Sequence, residues 1–241
     1  MANPSALATR ECRAVIIDLD GTLVDTVADF EVALNRTFAA LGLPGVDREA
    51  VVRTVGKGSE HLIRSLLAEQ LARPAVRGLG QVCPARTVDA LYGPAWQQYQ
   101  QHYHAINGQF SAVFPGVLEG LQALRARGLP LACLTNKPLL FAQALLRAKG
   151  MDGYFQQVFG GDSFERKKPD PLPLLKTCEA LGTAPAHTWM VGDSQNDALA
   201  ARAAGCPVVL VTYGYNHGQP IEQAPHDLLL GSLAALDHFL D

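Results

Sequence analysis

The sequence predicts an α/β fold, a parallel sheet with helices on both faces and a helical insertion after the first strand. Three observations carry this. Short uninterrupted apolar runs recur along the chain. From about residue 110 onward helical patterns separate them. Residues 27–109 have helical patterns but no convincing apolar strand. Strands buried on both faces read as continuous hydrophobic runs, and strand–helix alternation builds a parallel sheet.

The first run, AVII (14–17), is rich in β-branched side chains and ends abruptly at Asp18. LPLACLT (129–135), TWMVGD (188–193) and PVVLVT (207–212) repeat the form, and QVFGGD (157–162) is a weaker fifth candidate. Between them, Phe30, Ala33, Leu34, Phe38 and Leu41 recur at helical spacing, with Gly42 as the stop. Asn136 and Pro138 suggest a cap and first-turn proline for a helix ending near Gly150. Asp170 and Pro171 open another that closes near Gly182, and Ser194 opens one that closes near Gly205. The Gln-rich segment 94–105 is helix-like. The Gly/Pro-rich stretch near 74–86 suggests an internal loop or linker. The expected organisation is a core of residues 12–26 and 110–241 with a helical cap of residues 27–109 inserted.

The 241 residues are nearly half apolar, enough for a sizeable buried core. A net charge of -3 offers no broad basic field for nucleic acid. Five cysteines, odd in number and without a C-x-x-C pair, fit neither a disulfide framework nor a zinc site. Reduced thiols in the cytoplasm are the expectation. The N-terminus has no apolar stretch of signal-peptide length and no run spans a bilayer, so no membrane association is expected.

Ligands on open parallel sheets bind outside the carboxyl ends of the strands, and four segments sit there. In DLDGTLVDT (18–26), Asp18 and Asp20 project from a turn just past a buried strand. Gathering negative charge there is costly unless a cation balances it, and magnesium suits a few carboxylates plus phosphate and water. A plain Asp/Gly turn is the alternative. A calcium loop fails, because Gly21 is at the wrong offset and no Glu closes it. In LTNK (134–137), Thr135 and the Asn136 amide suit a phosphate oxygen or simply cap a helix. In RKKPDP (166–171), Lys168 before a proline turn can balance carboxylate and phosphate charge, with Lys167 as its solvent-facing neighbour. In VGDSQND (191–197), Asp193 can reach a cation shared with Asp18, while Asp197 fits either a capping box with Ser194 or a supporting role.

Taken together, the chain resembles the phosphatases of the haloacid dehalogenase superfamily over nearly its whole length. More narrowly, TVGKGSEHLIR (54–64), HYHAINGQFSAVFPGV (102–117), LTNKP (134–138), residues 160–182 and residues 205–218 are similar to bacterial phosphoglycolate phosphatases. The resemblance implies a Rossmann-like core with a cap. It implies Asp18 as nucleophile and Asp20 as acid and base. Mg²⁺ would be held by Asp18, the Asp20 carbonyl and Asp193. Thr135, Asn136, Lys168 and Gly21 would lie around the phosphate, and Asp197 would support them. The Asp20 position favours phosphoryl chemistry over dehalogenation, because an alkoxide needs a proton to leave. Lys57, in a cap loop, is either a partner for a substrate carboxylate or an exposed loop lysine. His102 and His104 do not share a helix face and read as surface residues. The expected partner is a small phosphate ester, 2-phosphoglycolate before pyrophosphate, sugar phosphates or nucleotides, in a monomer or homodimer. A phosphoacceptor signalling domain is the non-enzyme alternative. It places its acceptor after a middle strand and needs no large helical insertion.

Overall fold

The computed structural model describes residues 11–73 and 87–240. The first strand, β1 (Ala14–Ile17), leads through a two-residue strand β2 (Val24–Asp25) into a helical segment with four helices among the described residues. These are α1 (Val27–Ala40), α2 (Arg48–Thr54), α3 (Ser59–Ala72) and α4 (Val88–Ile106). The chain returns through β3 (Ala112–Val113) to α5 (Val117–Ala126), β4 (Leu131–Leu134), α6 (Leu139–Ala148) and β5 (Gln157–Phe159). Then follow α7 (Leu172–Leu181), β6 (Thr188–Gly192), α8 (Gln195–Ala204), β7 (Val208–Val211) and β8 (Leu228–Leu230). The expected linker near 74–86 lies outside the described residues.

The main sheet runs β5-β4-β1-β6-β7-β8, all parallel. From β1 the chain builds outward through β4 and β5, then crosses back to β6 on the other side. β1 is therefore the switch point of the sheet, where a crevice opens at the strand ends. Alternate residues of each strand feed opposite faces. Val15, Ile17, Cys133, Trp189 and Val191 pack with α5 and α6, while Ala14, Ile16, Ala132, Leu134 and Met190 pack with α7 and α8. This double burial is why β1 carries no polar residue before Asp18.

The helical segment has its own apolar cluster, separate from both faces of the sheet. Phe30, Ala33, Leu34 and Phe38 of α1 join Leu62, Leu66, Tyr99 and Tyr103 there, with Phe141 of α6 reaching in from the sheet side. In α4 the buried residues Ala95, Tyr99, Tyr103 and Ile106 fall on one stripe, which leaves the glutamines outside. Buried Asp29 of α1 accepts the N–H groups of Gly108 and Phe110 at 2.8 and 2.7 Å, fastening the outgoing helix to the returning chain.

Three features depart from the sequence expectation. The antiparallel β2–β3 ribbon marks where the helical segment leaves and rejoins the sheet. Two-residue strands leave no periodic signal. The edge strand β8, a bare Leu-Leu-Leu, is too short for one as well. Finally, Asn136 does not cap α6. That helix begins at Leu139, whose N–H bonds Asp162 Oδ1 at 2.8 Å, and the Asn136 side chain is engaged elsewhere.

Candidate active site

The sheet register assembles the site. Ile17 pairs with Cys133 on one side and Val191 on the other. Asp18 directly follows Ile17, and Thr135 and Asp193 each stand two residues beyond its partners. Three loops thus bring their polar residues to one crevice at the carboxyl edge. Asp18, Thr135, Asn136, Lys168, Asp193 and Asp197 are all buried there.

Lys168 is the electrostatic centre. Its Nζ donates to the Leu134 carbonyl at 2.7 Å and to Asp197 Oδ1 at 2.6 Å. It stands 3.0 Å from Asp18 Oδ1 without being aimed at it, so that oxygen has a counter-ion but no hydrogen bond. Burial by itself would lower the Lys168 pKa, but the carboxylates of Asp18 and Asp197 raise it, so the ammonium stays charged. The exposed neighbour Lys167 makes none of these contacts. Asp197 closes a capping box on α8, its Oδ2 accepting from the Ser194 N–H at 3.2 Å and the Ser194 hydroxyl at 2.7 Å. Capping and holding Lys168 are therefore one function of a single carboxylate.

Carboxylate oxygens of Asp18, Asp193 and Asp197 lie within 4.8 Å of one another. Burial, with the charges of Asp197 and Asp20 adding to it, raises Asp18 to about 7 against the pull of Lys168. Burial and the charges of Asp197 and Asp18 raise Asp193 well above the carboxylate range. Such a cluster needs a cation. The donor set fits a hard divalent ion, and the bonding narrows its ligands. Both oxygens of Asp197 are committed to Lys168 and Ser194, so Asp18 and Asp193 are the side chains that would hold it. Asp193 is fixed by the Thr22 hydroxyl at 3.2 Å and the Tyr215 N–H at 2.8 Å. Two glycines lie against it, and a Cβ at Gly21 or Gly214 would collide with its side chain.

The raised pKa values set a pH dependence. Asp18 binds a proton more tightly in the fold (about 7) than at its ordinary value of 3.8. The stability this confers on the metal-free protein is full below about pH 4 and is lost as pH rises through 7. A divalent cation held by Asp18 and Asp193 would replace those protons. The rise in Tm on adding Mg²⁺ to chelator-treated protein is therefore expected to be small at pH 5 and large at pH 8. A rise independent of pH would contradict the shared site.

Several assigned residues sit differently from expectation. Gly21 was expected beside the phosphate, but its N–H bonds the Val24 carbonyl at 2.9 Å and its backbone, at φ +86°, makes room for Asp193. It shapes the turn. The Asn136 side chain accepts from the Lys168 N–H at 3.0 Å and donates to the Lys168 and Gly56 carbonyls at 2.8 and 3.0 Å. Only its backbone N–H, without a partner among the described residues, is left for a ligand. Lys57 is exposed and lines an outer cleft of about 510 Å³ with Lys167, Asn196 and His217. The cavity over Asp18 is lined instead by its neighbours Gly56, Gly58 and Ser59.

Sequence reading missed Lys137. Its ammonium bonds both oxygens of Asp20, at 2.9 and 3.2 Å, and lies over the rings of Phe30 and Tyr103. The available signal was its place just before a helix, where the macrodipole disfavours a cation unless something else holds it. Asn196 was also missed. Its Nδ2 lies 3.2 Å from both the Gly56 carbonyl and His217 Nε2.

A haloacid dehalogenase-like hydrolase model matches residues 12–205. The chain belongs to the haloacid dehalogenase-like hydrolases. Among curated members of this family, it is 42% identical over 222 residues to a phosphoglycolate phosphatase of Thiobacillus denitrificans, covering 92% of each chain. It is 41% identical to the plasmid-encoded phosphoglycolate phosphatase of Cupriavidus necator, covering 98% of this chain and 96% of the relative. A solved structure of a predicted phosphoglycolate phosphatase from Haemophilus somnus superposes with a TM-score of 0.88 at 32% identity, covering 97% of this chain and all of that one. The hydrolase family fold accounts for the sheet order, and the buried acidic cluster lies where its strands end.

Proposed function

We propose that the chain is a magnesium-dependent phosphoglycolate phosphatase, hydrolysing 2-phosphoglycolate to glycolate and phosphate through a phosphoryl intermediate on Asp18. The observation that carries this is Asp18 itself. It is a buried carboxylate at the sheet switch point, with one oxygen free of hydrogen bonds, flanked by Lys168 and Asp193. The relatives named above supply the substrate.

In this reading the Asp18 carboxylate attacks phosphorus in line and the ester oxygen leaves with a proton from Asp20. Asp20 then deprotonates the water that splits the acyl phosphate. Thr135, the Asn136 backbone N–H and Lys168 offset charge on the phosphoryl oxygens. Mg²⁺ on Asp18, Asp193 and the Asp20 carbonyl would supply further charge neutralisation. Together these groups must lower the barrier by about 20 kcal/mol or more.

Residues 12–26 and 110–241 act as the catalytic core and residues 27–109 as a cap. Support comes from the separate apolar cluster of α1–α4 and from the cavity, which at about 20 Å³ holds roughly one water. An ester enters only when the helices lift, and closure excludes bulk water. The small volume favours a small ester over a nucleotide. No helix among the described residues is long and apolar enough to cross a membrane. The described cysteines are all free, in keeping with a cytoplasmic setting.

Phosphate release with Mg²⁺ from 2-phosphoglycolate, pyrophosphate, ribose 5-phosphate and a nucleoside monophosphate tests the assignment. 2-Phosphoglycolate is expected to give the highest kcat/KM. A sugar phosphate or nucleotide turned over faster would remove the substrate assignment and leave the chemistry.

A further inference from the structure

We propose that Lys137 selects the substrate by binding a carboxylate next to the ester, an exchange that frees Asp20 to reach the leaving oxygen. This rests on the functional reading above and adds a specificity-determining residue to it.

The Lys137 side chain is 2% exposed. Its ammonium is walled by the Phe30 ring at 4.4 Å and the Tyr103 ring at 4.8 Å, and Asp20 is its one carboxylate partner among the described residues. A buried ammonium needs a counter-charge, and ring faces supply only part of it. Both Asp20 oxygens are drawn to this lysine, at 2.9 and 3.2 Å. The reaction requires one of them at the ester oxygen. The lysine and the ester oxygen compete for the position of Asp20, and a substrate anion at the lysine relieves that competition.

The cavity supports such an exchange. Asp18 and Thr135 line it together with Phe30, Val55 and Leu62 of the helical segment, and Lys137 completes the lining. A phosphoryl group over Asp18 would leave the rest of a two-carbon ester facing the lysine and the aromatic wall. The buried hydroxyl of Tyr103, whose ring lies against the ammonium, has no hydrogen-bond partner among the described residues. Lys57, exposed on the outer cleft, is not part of this lining. The substrate class is therefore a short phosphomonoester with a carboxylate about one carbon from the ester oxygen. An ester with a neutral tail leaves Lys137 and Asp20 locked together.

The test compares 2-phosphoglycolate with ethyl phosphate, which has the same kind of leaving group but no carboxylate. In Lys137→Met, kcat/KM for 2-phosphoglycolate is expected to fall about 100-fold, mostly through KM, as for truncating one partner of a buried charge pair. For ethyl phosphate the substitution releases Asp20 from the lysine, so kcat/KM is expected to rise and the preference collapses. Lys137→Arg should recover part of the preference for 2-phosphoglycolate. If Lys137→Met does not fold, Lys137→Gln is measured in the same way. Equal losses on both esters, or an undiminished preference, would overturn the proposal. A wild type that does not prefer 2-phosphoglycolate to ethyl phosphate would instead overturn the functional reading beneath it.

Discussion

Asp18→Asn is expected to lose more than about 10⁴-fold in kcat, the scale seen when a nucleophile is removed from a site that acts as a unit. The fold should survive. The carboxylate it replaces is one whose burial raises its pKa to about 7, so at pH 8 the wild-type protein holds a charge that the site disfavours. A neutral amide of the same shape removes that penalty. The metal-free variant should therefore melt no lower than metal-free wild type at pH 8. It should also lose most of the Tm rise caused by Mg²⁺, because one of two side-chain ligands is gone. Turnover of 2-phosphoglycolate and melting curves with and without chelator check all three. Turnover within tenfold of wild type would remove Asp18 from the reaction.

Lys168→Met is expected to have the largest effect on stability. The lysine separates Asp18 from Asp197 and satisfies the Leu134 carbonyl. Removing one member of a buried ionic group costs about 3–5 kcal/mol, because the charges left behind remain unpaired. For a chain of this length that is about 10 °C in Tm. The sign of the pH dependence follows. Without the pull of the ammonium, Asp18, already raised to about 7, takes up a proton more readily, so the deficit shrinks from pH 8 to pH 5. Urea unfolding at both pH values measures it. Lys167→Met, one residue away on the surface, is expected to stay within about 0.5 kcal/mol of wild type. If the two substitutions destabilise equally, the assignment of the buried charge to Lys168 is wrong.

Much of the site was legible because a parallel sheet converts sequence into position. A run such as AVII must lie between two neighbours, so the first polar residue after it, Asp18, is delivered to the strand-end edge. Thr135 and Asp193 follow the same rule from β4 and β6, and Lys168 and Asp197 come from the turns beside them. What stayed hidden depends on contacts between segments distant in sequence. Lys137 is separated from Asp20 by 117 positions, and only the fold shows that they meet. The true partners of Asn136 lie at residues 56 and 168, so local reading assigned it to the nearest helix end. The glycines at 21 and 214 read as ordinary turn residues until Asp193 is seen packed against both. The β2–β3 ribbon, with two residues on each side, lies below any periodicity a sequence can display.

The Gly56 carbonyl accepts from two asparagines rooted in different turns, Asn136 beside Lys168 and Asn196 at the start of α8. The roof of the pocket is therefore bolted to the loops that carry the charges, and unfastening it disturbs both. In the cap opening proposed above, these two amide links would part and re-form together, a latch whose side chains stand apart from the phosphoryl group.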